Sequence, residues 1–314
     1  MSEAIDRLPA GVVLIERDWL SSNHIVLFDA DQALVVDTGY NTHKDMTCHL
    51  IDAALKRNPV GRPAGLMRIF NTHLHSDHCG GNAALVAQHQ CPVFVPSPSV
   101  AAVNDWHSEH AKHSALGQHC DQFRADGGIE PGEQFDAGGL TWTALAAPGH
   151  DPDSLIFFND SHGILISADA LWENGFGVIF PEILGDSGFA EQGAVLDLID
   201  SIKPAVVLPG HGRVFDDVAG AINRARGRLK RYVENPVSSH QNALKVLVKF
   251  VLLDRQTITR ASLHALTLET PIFQALGKHV QMPPEQAVDW AIAWLVERQQ
   301  LRIEGDQLFN QMPA

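Results

Sequence analysis

The chain has 314 residues, 45% hydrophobic and 19% charged, which is ordinary globular composition at about twice the ~150 residues of a usual domain. Its net charge of −14 is uneven: residues 1 to 216 carry 11 Lys+Arg against 28 Asp+Glu (−17), whereas 217 to 314 carry 12 against 9 (+3). The first part therefore offers little long-range attraction to a polyanion, and the shift marks a domain boundary near Phe215-Asp216. No window approaches the ~20 apolar residues of a membrane span, and Met1 to Ala10 lacks the basic-then-apolar layout of a secretion signal. A cytoplasmic protein without a membrane partner is expected. Cys48, Cys79, Cys91 and Cys120 show no C-x-x-C spacing, which argues against a disulfide framework and a cysteine zinc knuckle.

Val12 to Glu16, His24 to Phe28 and Ala33 to Asp37 read as strands, β-branched and apolar between polar turns. The third ends in V-D-T-G, leaving Asp37 at a strand terminus as a ligand, an orienting carboxylate or a turn residue. Asn41 to Arg57 is helical, and Leu66 to Phe70 is a strand that delivers RIFNTHLHSDHCGG, residues 68 to 81. In an extended segment His73, His75 and Asp77 point the same way, and the turn into Cys79-Gly80-Gly81 directs His78 to a second point. One short segment can thus feed two neighbouring metal ions. A helix from Asn82 to Gln90, a strand near Pro92 to Val95 and a further helical stretch from Ser97 follow. His107, His110 and His113 at spacings of three share roughly one helix face, more simply a solvated face than a third metal site.

Leu140 to Ala146 is a half-buried strand ending in A-P-G-H, which leaves His150 at a strand edge. Leu155 to Phe158 and Ile164 to Ser167 form a hairpin whose second arm presents Asp169. Phe189 to Ile202 is helical, Ala205 to Leu208 a strand, and P-G-H-G presents His211. Repeatedly an apolar strand runs into a bend and offers His or Asp, the usual way a site is built on a sheet scaffold.

This ordered set resembles the metallo-β-lactamase superfamily. The signature H-x-H-x-D-H stands here as His73-Leu74-His75-Ser76-Asp77-His78, followed by His150, Asp169 and His211; V-D-T-G and Ser154 after P-G-H also match, over about residues 10 to 215. The resemblance implies an α+β chain with a four-layer αββα sandwich over 1–216. It further implies His73, His75 and His150 at a first metal, Asp77, His78 and His211 at a second, Asp169 bridging, and Asp37 behind them fixing a histidine tautomer. Five imidazoles and two carboxylates without thiolate suit zinc, iron or manganese rather than calcium or magnesium, with zinc the first choice.

The implied reaction is attack by a metal-bridging hydroxide, with Asp77 as the catalytic carboxylate that orients it. Common zinc β-lactamases carry Cys at the position of Asp169, so β-lactam hydrolysis is not expected. Homoserine-lactone hydrolases often have Tyr where Trp172 stands, and the basic glutathione-gripping cluster of glyoxalase II-like thioesterases is not found. The interval from Asp169 to His211 leaves no room for an inserted nuclease domain. A small-molecule ester, thioester or lactone fits best, against walls drawn from Tyr40, Trp106, Trp172, Glu173 and Phe176, with Phe180 and Asn174 beside them. The alternatives are a phosphodiesterase or ribonuclease, an iron-dependent oxygenase and a non-enzymatic DNA-binding regulator.

Residues 217–314 read as helices closed by a hairpin at Leu301 to Glu304 and Gln307 to Phe309. They resemble the winged-helix-like domain of the beta-lactamase-like-2 branch of the superfamily. Val218 to Val233 is a basic helix containing residues 224 to 231, R-A-R-G-R-L-K-R. A lid or a homodimerisation module is expected here before a nucleic-acid binder.

Overall fold

The computed structural model describes residues 4–311; the extreme ends of both expected domains, residues 1–3 and 312–314, lie outside the described residues. Strands form where apolar side chains alternate between two covered faces. β1 (Val12–Ile15), β2 (His24–Asp29) and β3 (Gln32–Val36) make an antiparallel meander. Past α1 (Lys44–Arg57), β4 (Gly65–Phe70) pairs with β3 in parallel. Then α2 (Ser76–Cys79) and α3 (Asn82–His89) lead to β5 (Val93–Pro96). Next, α4 (Val100–Asn104) and α5 (Trp106–Ala115) lead to β6 (Gly127–Ile129), which completes a 6-stranded sheet in chain order.

The second sheet starts with β7 (Gln134–Ala137), β8 (Leu140–Ala146), β9 (Leu155–Asn159) and β10 (Ile164–Ala168). After α6 (Phe180–Leu184) and α7 (Phe189–Ile202) it closes with β11 (Val206–Pro209), giving 5 strands in the order β11-β10-β9-β8-β7.

Alternation along single strands explains the layers. On β2, Ile25 and Leu27 face the space between the sheets, where they meet Trp142, Phe157 and Leu208, while Val26 and Phe28 face Ile51, Leu55 and Leu85 of α1 and α3. On β10, Ile164 and Ile166 face inward and Leu165 meets Val195, Leu196 and Ile199 of α7. Helices therefore cover both outer faces, and the αββα order follows.

The C-terminal region begins with α8 (Val218–Glu234), which lays Val218, Ala221, Ile222, Ala225 and Leu229 against the α7 layer. Arg226 of this basic helix pairs with Asp197 and Asp200, and Arg224 pairs with Asp217. Beyond it stand α9 (Pro236–Arg255), β12 (Thr257–Thr259), α10 (Arg260–Glu269), α11 (Pro271–His279), α12 (Pro284–Glu297), β13 (Leu301–Glu304) and β14 (Gln307–Asn310). These share a separate apolar core, and their strands form a sheet ordered β12-β14-β13. Ile183 of α6 is buried in that core, so the segment after β10 ties the two regions together.

Strand direction sets the position of the site. β3 and β4 are parallel, β10 and β11 are parallel, and β8 runs with β10 because both oppose β9. The C-terminal ends of all five strands consequently meet at one edge of the sandwich, and each carries an expected residue: Asp37, His73, His150, Asp169 and His211. The edges are stitched by Leu155 N–H to Thr72 O at 2.8 Å and by the Asn23 amide to Pro209 O and Gly212 O at 3.0 and 2.8 Å.

Candidate metal centre

The motif after β4 is extended only through His75. The chain turns helical at Ser76, with His75 as the capping residue, so the expectation that His73, His75 and Asp77 point together is corrected for Asp77. The turn carries Asp77 round to His211, whose Nε2 lies 3.1 Å from Asp77 Oδ2. His78, fully buried, sets its ring between those of His73 and His211, with centroids 4.0 and 5.5 Å away.

Three groups of potential ligand atoms result: His73, His75 and His150; His73, His78 and Asp169; Asp77, His78 and His211, each with atoms within 4.8 Å of one another. His75 Nδ1 stands 2.7 Å and His73 Nε2 3.2 Å from His150 Nε2. Asp169 turns Oδ2 to His150 Nε2 at 3.3 Å, and Oδ1 to His78 Nε2 at 3.3 Å and His211 Nε2 at 3.9 Å. Its backbone follows Ala168 at φ 46°, a left-handed bend that swings Asp169 out of the strand. A Cβ on Gly210 would collide with Asp169 Oδ1, which is why the P-G-H turn needs glycine there.

Hydrogen bonds behind the ligand atoms set their tautomers. Asp37, at φ 58° just past β3, accepts from Thr72 N–H at 2.9 Å, from the Thr72 hydroxyl at 2.7 Å and from His78 Nδ1 at 2.8 Å. Thr72 Oγ1 in turn accepts from His73 Nδ1 at 3.0 Å, and Val178 O accepts from His150 Nδ1 at 2.5 Å. One carboxylate thus orients His78 directly and His73 through Thr72. The Nε2 atoms of His73 and His150 are aimed inward, and His78 Nε2 faces Asp169 Oδ1.

Bare lone pairs so close together repel unless a cation stands among them. Burial, then His78, His75 and His150, drive His73 well below the ordinary histidine range. Burial pulls His75 and His150 down to about 4. Burial opposes ionisation of both carboxyls, but His78, His211 and His150 hold Asp169 well below the carboxylate range, and the His211 hydrogen bond, together with His78, lowers Asp77. His78 is pushed well up, against burial, by Asp169 and Asp37, its Nε2 facing Asp169 Oδ1 and its Nδ1 facing Asp37 Oδ2. Three imidazoles held neutral, those of His73, His75 and His150, beside the ionised carboxylates of Asp77 and Asp169 form a donor set that divalent metals take.

The walls depart from expectation. Trp172 lines the cleft and donates Nε1 to Asp169 Oδ1 at 3.2 Å. Phe180 stands edge-on to His75 with centroids 4.8 Å apart. Phe176 does not join them: the chain reverses between Trp172 and Gly175, so Phe176 is buried against Tyr232 and under Arg228. Glu173 is exposed and engages Arg224 only through its backbone carbonyl. Tyr40 is buried behind the cleft with Leu20, Leu253 and Phe250, accepting from His119 N–H at 3.3 Å. Trp106 packs on Phe123 in the α4–α5 layer, away from the cleft. His107 and His110 are exposed while His113 is buried, because each step of three residues falls about 60° short of a full turn, which leaves His113 about 120° round the helix from His107.

Sequence reasoning missed Trp19, which stacks on His211 (centroids 5.5 Å, planes 6° apart) and meets Trp172 edge-on. It also missed Gln118, Val246, Leu247 and Phe250 as lining residues. Trp19 sits in a loop between strands, where no local pattern marks it. Thr72 had a signal, lying within the motif beside His73.

An αββα sandwich with His/Asp clusters at one edge defines the class of scaffold built to hold metal ions. The sequence pattern of the metallo-beta-lactamase superfamily matches residues 17–211, and the chain belongs to that superfamily. It is 27% identical over 188 residues to a hydroxyacylglutathione hydrolase of Idiomarina loihiensis, covering 60% of this chain and 56% of that protein. The chain therefore spans little more than half of that relative. It is 24% identical over 273 residues to a beta-lactamase-like protein 2 homolog of Drosophila melanogaster, covering 78% of this chain and 82% of that one. The fold matches a metallo-beta-lactamase family protein of Thermus thermophilus with TM-score 0.55 at 18% identity, over 96% of this chain and 99% of that chain. No helix among the described residues is long and apolar enough to cross a membrane.

Proposed function

We propose that the protein is a binuclear zinc hydrolase of a small ester, thioester or lactone. The observation that carries this reading is the double engagement of Asp169, one oxygen toward His150 and the other toward His78 and His211. His73, His75 and His150 would hold one ion and Asp77, His78 and His211 the other, with Asp169 between them. Such a pair supplies a water of pKa about 7 and polarises a carbonyl oxygen.

The chain's own residues do the rest. Asp37 and Thr72 keep the imidazoles of His78 and His73 pointing inward. Asp77, held ionised by His211 and His78, is the carboxylate that orients the attacking water and takes its proton. Trp19, Trp172 and Phe180 form an apolar wall that excludes bulk water and receives an acyl group, and no Lys or Arg is among the described residues lining the cleft. The likeness to a hydroxyacylglutathione hydrolase supports an acyl substrate.

A second reading, a phosphodiesterase or ribonuclease, draws support from the helices of the C-terminal region and its three-stranded β12-β14-β13 sheet. Against it, the basic helix α8 uses Arg224 and Arg226 on Asp217, Asp197 and Asp200. Purified protein assayed on thioesters, esters and lactones, and on bis-aryl phosphate and single-stranded RNA, separates the two. Acyl turnover alone is expected, and turnover of phosphodiesters alone would overturn the reading. Metal analysis is expected to find zinc; iron or manganese in its place would revise the metal.

A further inference from the structure

Beside the metal cleft lies a second space that the proposed chemistry does not use. It is a cavity of about 410 Å³ between α9 and α12, and it shares Trp19, Val246 and Phe250 with the cleft, so the two adjoin across those side chains. Its size falls in the range of small-molecule pockets, roughly 300–1,000 Å³. Leu253, Leu295 and the Trp294 ring make it apolar, and two ammonium groups enter it from α9, one turn apart.

These two lysines differ. Lys249 is fully engaged, donating to Gln300 O, Asn310 Oδ1 and Gln311 O at 2.7 to 2.8 Å, and so pins the last strand to α9. Lys245 has no hydrogen-bond or ion-pair partner among the described residues. Its Nζ lies 4.1 Å from the Trp294 ring centroid, on a ring that also carries the Arg298 guanidinium at 3.9 Å. Burial, then Arg298 and Arg228, press its pKa below the ordinary lysine value. A half-buried cation crowded by like charges and short of acceptors is a place where an anion is stabilising.

We infer that this cavity receives the apolar arm of the substrate and that Lys245 binds a carboxylate at the end of that arm. The ligand class is a carboxylate-terminated acyl or aryl ester or thioester. One unpaired ammonium in an aromatic-walled pocket, on a chain of net charge −14, fits a singly charged arm better than a polyanion. The inference rests on the acyl-hydrolase reading of the cleft, but its test does not require turnover.

The probe is 6-phenylhexanoate, with its uncharged amide as control, titrated by tryptophan fluorescence and calorimetry into metal-loaded wild type, Lys245→Met and Lys245→Arg. Wild type should bind the carboxylate about tenfold more tightly than the amide, the worth of one charge-assisted contact. Lys245→Met should lose that preference, Lys245→Arg should keep most of it, and an unchanged melting temperature shows that each variant is folded. Equal binding of acid and amide by wild type, or a preference that survives in Lys245→Met, overturns the inference. So does displacement of the probe by single-stranded RNA in a Lys245-dependent manner, which would assign the cavity to nucleic acid. Failure of every ester and thioester as substrate while the acid preference stands would fall on the proposed reaction and leave the anion pocket established.

Discussion

The floor and the roof of the cleft are held by different means. On the floor, His73, His78, His150, Asp169 and His211 are all buried, and Asp37, Thr72 and Val178 O fix three of the rings from behind. The roof is borrowed from distant segments: Trp19 from the loop before β2, Phe180 from α6, and Val246 and Phe250 from α9. Trp19 is 48% exposed and is held by ring contacts alone, with no clamp of the kind beneath the metals. Under the proposed reaction, chemistry would sit on strand ends, while recognition would draw on segments remote from them.

The largest effect expected from the floor is with Asp169→Ala. Metal content and hydrolysis should fall together by more than about a hundredfold, since even partners behind metal ligands are worth roughly 10–100-fold. Elemental analysis alongside kinetics checks this, and full metal content in the variant would break the idea of a shared carboxylate. Asp37→Asn should cost about 10–100-fold in metal affinity by chelator competition, because it replaces the acceptor of both His78 and Thr72. Thr72→Val, which touches only the His73 arm, should cost less.

The floor also predicts a pH dependence. His75 and His150 have folded values of about 4, against an unfolded value of about 6.5. The unfolded chain therefore binds more protons through that window, and the metal-free protein loses stability as pH falls from about 6.5 toward 4. His78 is raised instead, so its contribution is complete below the unfolded value and does not oppose the trend there. Denaturant melts at pH 7 and pH 5 should differ by on the order of 3 kcal/mol, and equal midpoints would contradict the buried-neutral description.

Roof changes should be smaller and of another kind. Trp19→Ala should raise KM about two- to tenfold with metal content intact, the worth of one aromatic contact. A loss of metal would show that Trp19 belongs to the floor after all. Smallest of all, Tyr40→Phe removes an acceptor behind the cleft and should cost about 1 kcal/mol of stability with turnover unchanged, which thermal melts and kinetics together test.

What can be read from the chain depends on range. Phe189–Ile202 and Leu140–Ala146 are found where periodicity places them, because each is decided by its own side chains. The motif's four ligands lie within six residues, and P-G-H-G and S-A-D-A are local bends. Phe176 escapes a sequence reading because the short reversal at Trp172 to Gly175 resets which side faces the cleft. Trp106 and Tyr40 escape it because an aromatic near a motif in sequence is commonly a core residue in space.

The sequence by itself determined the candidate ligand set, the strand-end logic and the superfamily, since those reside in short segments whose side chains and turns act locally. Only the tertiary structure decided that a one-turn helix swings Asp77 out of the alternation of His73 and His75, that Trp19 stacks on His211, and that Lys245 faces a cavity adjoining the cleft. Each of those depends on how a one-turn helix rotates or how far-apart elements pack, and packing direction is not written in any local period.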